Sequence, residues 1–92
     1  MIVDANVLLR ASIGDDPIQS PEARRAMAGA EHLFISNTAL CEFVWVVGRK
    51  YKESRADSAM SIRALLSDQR TVVDRDAVEA GLAFLDAGGD FC

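Results

Sequence analysis

The chain is short of the residues on which most enzyme chemistry is built. It has one histidine and two cysteines, and no apolar run reaches the ~20 residues of a membrane-spanning helix. His32 alone cannot make a zinc site with those cysteines and reads as an ordinary loop residue. Cys41 and Cys92 lack metal-ligand spacing and read as reduced thiols, one of them buried, with no disulfide framework. Positive charge is also scarce: 10 Lys and Arg against 14 Asp and Glu leave a net charge of −4. That balance argues against sequence-independent nucleic-acid binding through a basic face. It leaves room for an enzyme in which a divalent cation supplies the positive charge, and for a basic protein partner. There is no phosphate-cradling glycine loop followed by lysine, and no nucleophile elbow. With no secretory leader pattern either, the expected location is cytoplasmic. Ninety-two residues make one small domain that buries only about 60–65% of its unfolded surface.

What is present is an alternation of short apolar runs with longer helical patterns. Met1 to Val3 reads as a first strand, followed by helix from Ala5 to about Ala11. Gly14-Asp15-Asp16-Pro17 is a loop by its turn residues. Ser20-Pro21-Glu22 predicts a second helix with Ser20 as its cap, running to about Ala28 and stopping near Gly29. Leu33 to Ile35 reads as a second strand, and Ser36 caps a third helix from Asn37 to Tyr51. Its apolar residues include Leu40, Phe43, Val44, Trp45, Val46 and Val47, a stripe wide enough to predict burial on more than one side. Ser54 and Asp57 form a capping pair for a fourth helix. Thr71 to Val73 is a third strand, and Asp76 with Glu79 has capping-box spacing for a fifth helix that ends at Gly88-Gly89. Asp90-Phe91-Cys92 is left as a stub. Strands alternating with helices predict an α/β fold with a mostly parallel sheet.

Two acids do not fit a plain structural role. Asp4 stands at the carboxyl end of the first strand, where ligands collect in open parallel sheets. Its alternative reading is a helix N-cap. Glu42 lies on the most hydrophobic helix, and helical spacing carries it to Thr38, Trp45, Val46 and Arg49. That strip looks poorly suited to face water, so Glu42 is expected to point into a polar site. Asn6, two residues after Asp4, could orient that carboxylate. Asp90 follows two glycines and is either a cap or a further member of the acidic group. Asp15, Asp16, Asp57, Asp68, Asp74, Asp76 and Asp86 fall in loops, caps or exposed faces. Converging carboxylates repel unless a hard cation neutralises them, and Mg²⁺ or Mn²⁺ prefers oxygen ligands. Such an ion can activate water against a phosphodiester.

MIVDANVLLR, GDDP, FISNTALCEFVWVVGRKY, TVVDRDAVEAGLAFL and GGDFC, in that order, resemble the PIN-domain ribonucleases, and most of all the VapC-type toxins of bacterial toxin–antitoxin pairs. The resemblance runs over the whole chain. It implies a three-layer α/β/α sandwich around a central parallel sheet, with residues 1–92 as the N-terminal two-thirds of the domain and the C-terminal strands missing. It also implies Mg²⁺- or Mn²⁺-dependent hydrolysis of RNA by a quartet of acids. Asp4 matches the first acid and Glu42 the glutamate of the third-helix motif, while Asn6 matches the polar residue beside the first acid. Ala5 replaces a common threonine or serine.

At Gly88-Gly89-Asp90-Phe91-Cys92 the family pattern Gly-x-Asp-Phe-x-Asp supplies only its first aspartate. Asp90 is thus a weaker substitute for the third acid, and the fragment alone is expected to be inactive. The same resemblance implies a cognate VapB-like antitoxin and a homodimer. It also implies a C-terminal remainder or second chain that pairs with the edge of Met1 to Val3, without which the chain is not expected to be a stable monomer. An inactive module that only binds antitoxin or dimerises is the alternative function. Arg10, Arg24, Arg25, Arg49 and Lys50 could touch phosphates, with a solvated surface as their ordinary reading.

Overall fold

The computed structural model describes residues 1–14 and 16–92, so the loop reading of Asp15 lies outside the described residues. Seven elements follow one another: α1 (Ala5–Ile13), α2 (Gln19–Gly29), β1 (Leu33–Phe34), α3 (Asn37–Arg49), α4 (Arg55–Ser67), β2 (Thr71–Val72) and α5 (Arg75–Asp86). The strands are shorter than their apolar runs suggest. β1 and β2 pair in parallel, with Leu33 opposite Thr71 and Phe34 opposite Val72. The N-terminal run joins them through a single parallel bridge from Ile2 to Phe34. Phe34 N–H donates to the Met1 carbonyl at 2.8 Å, and Val3 N–H donates to the Phe34 carbonyl at 2.9 Å. This is the parallel α/β arrangement expected of a PIN-like fold.

Period-two alternation gives the sheet two unlike faces. Val3, Leu33, Ile35 and Thr71 are buried, and all but the last belong to one apolar core with Leu8 of α1, Phe43 and Val47 of α3, Ile62 of α4, and Val78 and Leu82 of α5. On the opposite parity, Ile2, Phe34 and Val72 sit side by side across the three segments and are all exposed, Ile2 by 84%.

Helix ends follow their polar residues, though not always the expected ones. Ser36 and Ser54 cap α3 and α4 by accepting from Ala39 N–H and Asp57 N–H, each at 3.1 Å. Ser20 does not cap α2. It lies inside the first turn, fully buried, and accepts from Asp16 N–H at 3.3 Å. Asp16 takes over, its carboxylate accepting from Ile18 N–H and Gln19 N–H at 2.9 and 2.6 Å. Those bonds, the one from Gln19 foremost, hold its pKa below the ordinary aspartate value. Likewise α5 is capped by Asp74, which accepts from Ala77 N–H at 3.2 Å. The helix therefore begins one residue before Asp76, because β2 is short and the chain turns at once.

The far end of α2 is closed by Arg70. Its guanidinium donates to the carbonyls of Met27, Ala28 and Ala30 at 2.6, 3.2 and 3.0 Å, and so satisfies the exposed end of the helix ladder. The same group is forked by Asp68, at 2.9 Å to Oδ2 and 3.1 Å to Oδ1. Asp68 is held at a pKa of about 2 by this side-chain pairing first, and by the Arg70 backbone N–H second.

Two expectations at the C-terminal end are overturned. Residues 90–92 are not a loose stub: Phe91 is buried in the core against Gly81, where a β-carbon would come within 2.7 Å of the Phe91 ring and carbonyl. Cys41 and Cys92 are not free thiols but a disulfide, with Cα atoms 5.7 Å apart. The fold-back after α5 brings Cys92 to α3, a proximity that separation in sequence conceals.

Candidate acidic site and adjoining groove

Asp4 occupies the junction between the N-terminal segment and α1. Its backbone is extended (φ −86°, ψ 175°), and its Oδ1 accepts from Val7 N–H at 2.9 Å. The cap reading of this residue is therefore realised. Because the side chain stays exposed and only one oxygen is engaged, the carboxylate also keeps an outward acceptor. Asn6 lies exposed in the first turn of α1, without a hydrogen bond to Asp4 among the described residues.

Glu42 lies on α3, which packs against α1. The face of α3 that enters the core is Ala39, Leu40, Phe43 and Val47. Of the strip that helical spacing assigns to Glu42, Thr38, Trp45 and Arg49 are exposed along with Glu42 itself, and Val46 is half-buried. The expectation that α3 is buried on more than one side fails at Trp45, which is 63% exposed. With it fails the inference that this strip cannot face water. The indole keeps a partner outside the core: the Arg49 guanidinium stands 5.3 Å from the ring centroid.

Asp90 is exposed on the folded-back C-terminal segment. The disulfide joins the residue before Glu42 to the residue two after Asp90, so these two acids are carried on covalently linked segments. Even so, among the described residues no three His, Cys, Asp or Glu side chains come together as a group able to hold a metal ion. Asp4, Glu42 and Asp90 have the oxygen chemistry that a hard cation prefers. As placed, they do not complete a coordination set.

Beside Asp90 opens a groove of about 670 Å³, bounded by α3, the start of α4 and the C-terminal segment. Trp45, Arg49, Glu53, Arg55 and the disulfide line it. Glu53 Oε1 is closed off from solvent and has no hydrogen-bond partner among the described residues. Trp45 was legible in the sequence only as core, and Arg55 carries no motif. The one local signal was Arg49, one helical turn beyond Trp45. Two of the other basic candidates have partners of their own: Arg24 Nε donates to the Ala11 carbonyl at 2.9 Å, and Lys50 Nζ stands 5.6 Å from the Tyr51 ring centroid. No helix among the described residues is long and apolar enough to cross a membrane.

Comparison with known families gives one match, to the PIN domain, over residues 1–89. No curated protein and no solved structure matches the chain.

Proposed function

The chain belongs to the PIN domain family, whose members are typically nucleases that use divalent metal ions, and from that premise we propose that it is a metal-dependent endoribonuclease. The observation that carries this reading is Asp4: an exposed carboxylate at the end of the N-terminal segment, over the start of α1, with one oxygen left open. Asp4, Glu42 and Asp90 are the acids that would hold Mg²⁺ or Mn²⁺, which would supply an activated water and charge stabilisation at a phosphodiester. Since the described residues do not gather three acids, the set needs a further carboxylate. A C-terminal remainder or a second chain would provide it, and would also cover the apolar row of Ile2, Phe34 and Val72. Residues 1–92 would then be the N-terminal two-thirds of the domain.

Within this reading the protein is the toxin of a VapC-type pair, acting in the cytoplasm, dimeric, and inhibited by a cognate antitoxin. An acidic protein of net charge −4 suits a basic inhibitory arm. The test is cleavage of RNA, with Mg²⁺, with Mn²⁺ and with chelator, by the chain together with the remainder or second chain that completes the acid set. Asp4→Asn and Glu42→Gln should each lose more than the roughly 10–100-fold that removal of a ligand-orienting residue costs. Cleavage that survives Asp4→Asn and chelator would overturn the reading. A second function is favoured by the incomplete acid set together with the open sheet face: a module without activity that only binds antitoxin or a second copy. Metal-independent dimerisation with no cleavage under any metal would select it.

A further inference from the structure

The groove beside Asp90 has a composition that the acids do not explain. Its walls carry one exposed indole and two guanidinium groups, with the carboxyl-bearing Glu53 and Asp90 beside them. Resting on the RNA-directed reading above, we infer that this groove seats a single-stranded stretch of the RNA, with a base stacked on Trp45 and its phosphates met by Arg49 and Arg55.

The indole and the guanidinium groups each find a counterpart in a nucleotide. A large aromatic ring left in water at 63% exposure is a stacking platform that any base can use, and an arginine already placed 5.3 Å from its centroid can extend the stack. Arg49 and Arg55 stand on different walls, one on α3 and one at the start of α4, so a strand lying between them meets positive charge from both sides. The volume of about 670 Å³ lies within the ~300–1,000 Å³ of built ligand sites.

The groove is also continuous with the candidate acids. Asp90 lies on its rim, and Glu42, Trp45 and Arg49 share the exposed strip of α3 at helical spacing. With only two arginines lining the groove of an acidic protein, affinity comes more from stacking than from phosphate contacts. Binding should therefore depend weakly on salt, with a slope of log K against log salt near about −1.4 for two single-strand phosphates.

Trp45 is the only tryptophan, so the site carries its own probe. The experiment titrates the full chain, carrying Asp4→Asn and with metal omitted, with a short single-stranded oligoribonucleotide while following tryptophan fluorescence. Saturable quenching is expected, and the salt slope should flatten in Arg49→Ala/Arg55→Ala. Anisotropy of the labelled oligonucleotide should show Trp45→Ala binding roughly tenfold or more weakly, with Trp45→Phe recovering much of the loss. A duplex of the same sequence should bind worse than the single strand. All the substituted residues are exposed, and melting curves check that each variant folds. Absence of quenching, or equal affinity in the arginine pair variant, would overturn the inference. So would quenching by an amphipathic helical peptide but not by RNA, which would make the groove a protein-docking surface. Failures separate cleanly. RNA bound at Trp45 but never cleaved defeats the nuclease reading alone, whereas Asp4-dependent cleavage indifferent to Trp45 and both arginines defeats the groove alone.

Discussion

Two charged regions of this small protein are built on opposite logics. At the end of α2 and the start of β2, Arg70 and Asp68 are spent on each other and on backbone carbonyls, and the pairing holds the Asp68 carboxyl near a pKa of about 2. Around α3 and the C-terminal segment, Glu42 and Asp90 are exposed, no ion pair engages them among the described residues, and the region is held by a disulfide and by Phe91. Charges consumed locally make structure. Charges left over on a surface tied in place by other means remain available to a ligand. Asp4 stands between the two cases, with one oxygen capping α1 and the other open.

The sharpest way to break the contrast is to remove the covalent tie. The disulfide closes a separation of 51 residues, for which the chain-entropy relation gives about 4 kcal/mol. Reduction, or Cys92→Ser, should lower the unfolding free energy by roughly that amount in denaturant titrations, and amide exchange should rise first over residues 87–92. Next in size, Gly81→Ala forces a β-carbon to within 2.7 Å of Phe91 and should destabilise the fold by about 1–3 kcal/mol through overpacking. Arg70→Ala should destabilise the fold by less, because it removes the donor that the carbonyls at the end of α2 share. Both substitutions are read from thermal or chemical melts, and only the first should disturb the groove fluorescence of Trp45.

The smallest effect concerns pH. Asp68 has a folded pKa of about 2, below the 3.8 of an ordinary aspartate. Its contribution is therefore complete above about 4, where the unfolded carboxyl is also ionised, and is lost as pH falls from there toward 2. Asp68→Asn should remove part of the acid sensitivity of stability in that window. If the variant's pH profile overlays the wild type, the clamp contributes nothing measurable, as exposed pairs often do.

Helices were the legible part of this sequence because their signals are local. Ser36 and Ser54 cap where hydroxyls precede periodic apolar runs, and Gly29 ends α2. Caps slipped where two candidates lay within a few residues: Asp16 over Ser20, and Asp74 over Asp76. Asp74, the extended residue next to β2, caps α5, and Asp16 supplies the acceptor ahead of α2. What the sequence hid was tertiary. Cys41 and Cys92 looked unrelated because only the fold-back of residues 87–92 brings them together. Trp45 was misplaced because an apolar stripe says which residues can be buried, not which find neighbours. Of the candidate site, the positions of Asp4 and Glu42 at a segment end and on α3 were readable. Their convergence on a metal was an inference from family likeness, and the described residues do not form such a group.

The central claim is that Asp4 serves both as a helix cap and as part of a catalytic site. Asparagine caps helices as well as aspartate does but offers a metal far less. The direct measurement is Mg²⁺-dependent RNA cleavage by residues 1–92 together with the remainder or second chain that completes the acid set, and by the same assembly carrying Asp4→Asn, taken beside their melting curves. The account predicts cleavage by the wild type, loss of cleavage in the variant, and melts that coincide. Equal cleavage by both proteins, or no cleavage by the wild type at all, would contradict it.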